Sequence, residues 1–160
     1  MADSADPHTV YDSRVRIPPP SIYAGVFAIG LLLQQFFPID LLPKAVRRVT
    51  AFLCMGASAI LGAWSFVWFW RARTSPLPIK PSTALVTAGP YRFTRNPMYV
   101  SLVFLHVGLG LWFNVFWALA LLPVAIVIVR YYIIAGEERY LERKFGDEYL
   151  RYKARVQRWL

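Results

Sequence analysis

The sequence predicts an all-α integral membrane protein of about four transmembrane helices, the last two a hairpin, with a cytoplasmic amphipathic C-terminal helix. Three observations predict it. Of the 160 residues, 57% are hydrophobic and 16% aromatic, more apolar surface than one soluble domain of this length can bury. The apolar residues fall in long runs separated by short, proline-bearing polar loops. The charges, net +9, gather beside those runs, as in membrane proteins whose loops lie near anionic lipid. They carry no nucleic-acid recognition motif, so no nucleic-acid partner is expected.

Residues 1–20, MADSADPHTVYDSRVRIPPP, form a polar N-terminal tail. It carries Asp3, Asp6 and Asp12 and no early apolar stretch, which excludes a cleavable signal peptide. The triple proline Pro18, Pro19, Pro20 predicts an extended spacer. Residues 21–70 hold two transmembrane helices. The first covers residues 21–39, contains Gln34 and Gln35, and is ended by Pro38. The second covers residues 46–70. Arg47 and Arg48 at its start can snorkel to the interface, and AWSFVWFW at its end reads as an aromatic belt. Gly56, Ala57, Ala59, Gly62 and Ala63 offer small side chains for close helix packing. Cys54 lies inside this run and reads as a small buried hydrophobe.

Residues 71–160 form the functional region. Pro76, Pro78, Pro81 and Pro90 prevent the loop at 71–96 from being one helix. Residues 98–134 are then almost continuously apolar. One straight helix of that length would be about 55 Å long, nearly twice the hydrocarbon core. Two antiparallel spans joined tightly near Phe113 and Asn114 fit better. In the tail, Phe145, Tyr149, Tyr152, Val156 and Trp159 recur at helical spacing and predict one apolar face, with basic residues opposite suited to a membrane surface. Gly146 interrupts this helix and Asp147 is expected to cap the final piece.

Lys and Arg set the orientation. Arg14, Arg16, Arg71, Arg73, Lys80, Arg92, Arg95 and the basic tail share one side, opposite Lys44, Arg47 and Arg48. The middle loop, tail and both termini are therefore expected to face the cytoplasm.

Two polar clusters fall on that side. One lies in GPYRFTRNPMYVSL, residues 89–102, with Tyr91, Arg92, Arg95, Asn96 and Tyr99. The other is Glu137 and Glu138, just after the last span. A hairpin makes these two clusters neighbours, and ionisable groups at such a boundary are functional candidates. Asn96 and Pro97 also suit a helix N-terminus, Arg95 suits a lipid phosphate, and the glutamates suit pairing with Arg139 or Arg143. His106 has no partner at metal-ligand spacing, so no metal is expected.

GPYRFTRNPMYVSL, followed about forty residues on by EERYLERKFGDEYLRYKARVQRW, resembles the membrane-embedded methyltransferases, the superfamily of isoprenylcysteine carboxyl methyltransferases and phospholipid N-methyltransferases. The resemblance covers residues 87–159. NPMY is closer to the phospholipid N-methyltransferases, and the remaining tail is closer to the prenylcysteine enzymes. It implies an S-adenosylmethionine site between hairpin and tail, held by Gly89, Pro90, Tyr91, Asn96, Pro97, Tyr99, Glu137 and Glu138. Leu102, Leu105 and His106 would wall the adenine. Arg95 would face an anionic acceptor or a phosphate, and Glu138 or a water would take a proton from an amine or hydroxyl acceptor. Tyr149, Tyr152, Arg158 and Trp159 would line the acceptor side. The acceptor implied is a lipid or small lipophilic molecule, methylated on a carboxylate oxygen or an amine nitrogen. The competing readings are a sterol-reductase-type membrane enzyme using NADPH and a non-enzymatic membrane protein whose tail binds lipid or a partner.

Overall fold

The structure is a computed structural model that describes residues 18–74 and 83–159. The expectations for Asp3, Asp6, Asp12, Arg14 and Arg16, and for Pro76, Pro78, Lys80 and Pro81, lie outside those residues. Among the described residues all regular structure is helical.

Helix α1 runs Pro19–Phe36. Only Pro18 of the triple proline is extended. Pro19 and Pro20 already form the first turn, where a missing N–H costs nothing, so the expected spacer is partly helix. Helix α2 runs Lys44–Arg71 and helix α3 Pro97–Phe113. Helix α4, Phe116–Ile128, passes through a π-helical turn, Val129–Ile134, into α5, Ala135–Phe145. Helix α6 is Asp147–Arg155. Helix α2 and the continuous stretch Phe116–Phe145 are long and apolar enough to cross a membrane. With 17 residues, α3 is shorter.

The predicted hairpin is present. Asn114 adopts the left-handed conformation (φ 60°, ψ 46°) and turns α3 into α4. Helix α2 packs along α3 and α1 along α4, so the order across the bundle is α2, α3, α4, α1. The α2–α3 contact follows the expected row of small residues only in part: Gly62 packs against Ser101, while Gly56 faces open space. It runs through Ala51, Met55, Ser58 and Gly62, which share one helical face. A Cβ on Gly108 of α3 would lie 2.6 Å from the Met55 side chain, so this crossing requires glycine there. The buried Ser58 hydroxyl donates to the Ser101 carbonyl at 2.7 Å.

At the Asn114 end, Arg47 donates to the last carbonyls of α3, those of Leu111 (2.9 Å) and Trp112 (3.1 Å). Arg48 stacks over the Trp112 ring. These arginines cap and clamp the hairpin rather than only snorkelling. Asn114 donates to Asp40 at 2.7 Å, which ties the hairpin turn to the α1–α2 loop.

The tail departs most from expectation. Gly146 (φ 50°) does break it, but Gly146 itself holds the cap position of α6 and Asp147 makes no capping bond. Helix α6 stops at Arg155, and Val156 turns to extended backbone. Tyr149, Tyr152, Phe145 and Val156 pack on Val86, Tyr91, Trp68 and Phe69. The apolar face thus closes on the loop and the end of α2. Trp159 leaves that face and packs on the hairpin core.

Candidate functional site

The site forms where the start of α3, the start of α5 and the chain end meet. Its floor is a single 3-10 turn, Gly89–Arg92. Gly89 has φ +62°, and a Cβ there would sit 2.0 Å from the Trp68 indole nitrogen. Both backbone and space demand glycine. Gly89→Ala is expected to destabilise the protein by about 2–4 kcal/mol, from left-handed strain plus overpacking, read as a lowered Tm in detergent. The turn is held from below: the Tyr152 hydroxyl donates to the Tyr91 carbonyl at 2.7 Å. Burial pushes the Tyr149 phenol up to about 12 and raises Tyr91 and Tyr152 as well. All three stay neutral, so Tyr152 remains a donor.

Helix α3 starts at Pro97 because proline suits a first turn. Asn96 occupies the cap position, but its side chain makes no capping bond. Its amide instead donates to the Arg158 carbonyl at 3.0 Å. The same carbonyl accepts from the Thr94 hydroxyl at 3.0 Å, and the Gln157 carbonyl accepts from the Arg95 backbone N–H at 2.9 Å. Residues 156–159 therefore lie as a strap across the start of α3. Thr94, 1% exposed, was not singled out in the sequence. Its position two residues before Asn96 in a polar loop was the only signal.

The hairpin brings the two predicted clusters together. The Tyr99 hydroxyl donates to Glu137 Oε1 at 2.8 Å. Glu138, 6% exposed, faces two guanidiniums. Arg95 Nη1 lies 3.0 Å from its Oε1, and Arg158 approaches bidentately, with Nε 2.9 Å from Oε1 and Nη2 on Oε2. This bonding raises the Arg158 pKa above its ordinary value. The glutamates thus differ in kind. Both Glu138 oxygens are engaged by guanidiniums. Glu137 accepts from Tyr99 through Oε1, and its Oε2 has no hydrogen bond among the described residues.

The π turn explains why both glutamates face inward. Val129, Ile133, Ile134 and Glu138 are all buried. An uninterrupted α-helix repeats its buried positions every three or four residues, and the extra residue of a π turn shifts that register.

Other predicted residues divide. Leu102 and Trp159 pack on the cluster that contains Tyr99. Tyr149 and Tyr152, expected to line the acceptor side, are 2% and 4% exposed beneath the loop. His106 lies about 10 Å along α3 from Tyr99, bonded through Nε2 to the Ala118 carbonyl at 2.9 Å. It joins α3 to α4 there. Leu105 is 38% exposed and turns away from the bundle interior.

The sequence profile of the phospholipid methyltransferase family matches residues 46–148. An uncharacterized protein of Haemophilus influenzae is 44% identical over 63 residues, which are 39% of this chain and the whole of that protein. No solved structure matches. The profile covers well over half of the chain, including Arg95, Asn96, Tyr99 and both glutamates. The protein therefore belongs to the phospholipid methyltransferase family, within the superfamily that also holds the isoprenylcysteine carboxyl methyltransferases.

Proposed function

We propose that the protein is an integral-membrane methyltransferase that uses S-adenosylmethionine and acts on a lipid or lipophilic acceptor, at a carboxylate oxygen or an amine nitrogen. In this reading all four apolar helices span the bilayer, and the site and both termini face the cytoplasm, following the Lys and Arg distribution. The observation that carries the reading is the joining of Tyr99–Glu137 to Arg95–Glu138–Arg158, all but Arg158 within the family-matched segment.

The donor set fits the cofactor. S-adenosylmethionine has an ammonium, a carboxylate and a sulfonium, so its polar end needs both an acceptor and donors. Glu137 has an oxygen to offer, and the buried Arg95 Nε has no hydrogen-bond partner among the described residues. Glu137 would hold the ammonium, and Arg95 with the start of α3 would hold the carboxylate. Bound there, the cofactor supplies an electrophilic methyl group. Gly89, Pro90 and Tyr91 shape the floor, and Asn96 and Pro97 set the start of α3. Tyr99 orients Glu137, and Leu102 offers apolar wall. Glu138 fixes Arg95 and Arg158. Tyr149 and Tyr152 act by holding the loop, while Arg158 and Trp159 border the side open to an acceptor. The chain's contribution to the transfer is then alignment and exclusion of water.

Calorimetry with S-adenosylmethionine tests this on protein in lipid nanodiscs. Wild type is expected to bind, and Glu137→Ala to bind about 10–100-fold more weakly, the worth of a hydrogen bond to a charged group. Incorporation of labelled methyl groups into a lipid extract then identifies the acceptor. Folded wild type that does not bind would sink the reading.

A further inference from the structure

Helix α1 lies outside the segment that matches the family, which begins at residue 46. Yet it places one polar side chain beside the site. Tyr23, one turn into α1, is 5% exposed and packs in the same cluster as Tyr99, Val129 and Ile133. Its ring meets His106 edge-on, with centroids 6.0 Å apart. Its hydroxyl is buried and has no hydrogen-bond partner among the described residues. Tyr23 and Tyr99 belong to one buried cluster, and Tyr99 bonds Glu137.

A buried hydroxyl without a partner is costly, most of all in an apolar bundle. Phenylalanine would fill the same space without that cost. Glu137 Oε2, bonded to nothing among the described residues, belongs to the same corner. A buried donor without a partner, the Tyr23 hydroxyl, and an acceptor with no hydrogen bond among the described residues, Glu137 Oε2, are therefore both neighbours of Tyr99. A polar ligand carrying both kinds of group completes them; a purely structural tyrosine would bond a helix carbonyl, as His106 does.

We propose that Tyr23 of α1 is a ligand-contacting residue of the methyl-donor site, its hydroxyl bonding the polar end of the ligand beside Glu137. The assignment rests on the function proposed above. It makes α1 part of the binding site as well as a packing partner for α4.

Tyr23→Phe is the test, with S-adenosylmethionine affinity measured by calorimetry and the Tm of ligand-free protein measured in the same nanodiscs. The expected result is a split: affinity falls about tenfold or more, while the ligand-free Tm is unchanged or raised. Equal affinity together with a raised Tm would overturn the assignment and leave Tyr23 as a packing residue. Affinity lost together with a lowered Tm would also overturn it, since the hydroxyl would then support the fold. Wild type that fails to bind would overturn both this assignment and the function on which it rests, so the two failures are distinguishable.

Discussion

Inserting one alanine after Tyr132 is expected to lower S-adenosylmethionine affinity more than 100-fold, with the loss of two charged contacts at about 1.5–3 kcal/mol each. Helix content by circular dichroism should stay unchanged. The reason is geometric. The backbone N–H of Ala135 donates to the Arg130 carbonyl, five residues back, in the π turn that links α4 to α5. Each residue of such a turn rotates the chain less than a residue of an α-helix does, so the turn already absorbs one extra residue. A further residue is not absorbed, and everything after it rotates by about 100° relative to α4. Glu137 leaves Tyr99, and Glu138 leaves Arg95 and Arg158. Deleting Tyr132 is the contrast: it removes the extra residue, restores ordinary α-helical spacing and leaves the glutamates facing inward, so this variant should bind far better than the insertion. Tyr132 is the suitable residue to remove because it is 75% exposed. Tyr132→Ala, which keeps the residue count, is the control and should bind within about twofold of wild type, as surface substitutions generally do. An insertion variant that still binds would show that helical register does not set the orientation of the glutamates.

This result bears on what could be read from the sequence. The hairpin was legible because 37 apolar residues are too many for one span and Asn114 is a good left-handed turn residue. The nearness of the start of α3 to the glutamates followed from the hairpin alone, although Tyr99 and Arg95 make the contacts and Asn96 bonds the strap. The π turn was not legible: VRYYII has no proline, glycine or charge pattern that marks an extra residue, and its register is fixed only by tertiary packing. The tail was half legible. Period and glycine signalled the break at Gly146, but periodicity does not say what an apolar face will cover. Here Tyr91, Trp68 and Phe69 supply the aromatic surface that it covers. The strap at residues 156–159 was hidden for a related reason. Its contacts are backbone carbonyls receiving Thr94, Arg95 and Asn96, and carbonyls leave no trace in residue identity. Nothing in the sequence marks Tyr23, the residue proposed above as a ligand contact, because one tyrosine near a membrane interface has an ordinary explanation as an anchor.

Glu138→Gln should destabilise the protein by about 3–5 kcal/mol, the cost of breaking a buried ion pair. The glutamine keeps the size of the side chain and removes its charge. Two guanidiniums are then left facing each other, with the Arg95 side chain only 10% exposed and that of Arg158 27%. Neither can rehydrate without moving the strap, so trypsin cleavage near Arg155 and Arg158 should accelerate alongside the fall in Tm. The Lys153–Glu142 pair supplies the contrast. Its side chains are 38% and 32% exposed, and Glu142→Gln should cost about 1 kcal/mol or less, as for other solvent-screened pairs. A second variant separates lost attraction from new repulsion. Glu138→Gln with Arg158→Gln removes one of the two opposed cations, so the double variant should be more stable than Glu138→Gln alone. Simple addition of two destabilisations would mean instead that each residue supports the fold separately. The predicted non-additivity means that Glu138 holds two cations in place together: Arg95 at the site and Arg158 on the strap. That coupling would make the C-terminal strap a structural part of the site, although the strap lies beyond the segment that defines the family.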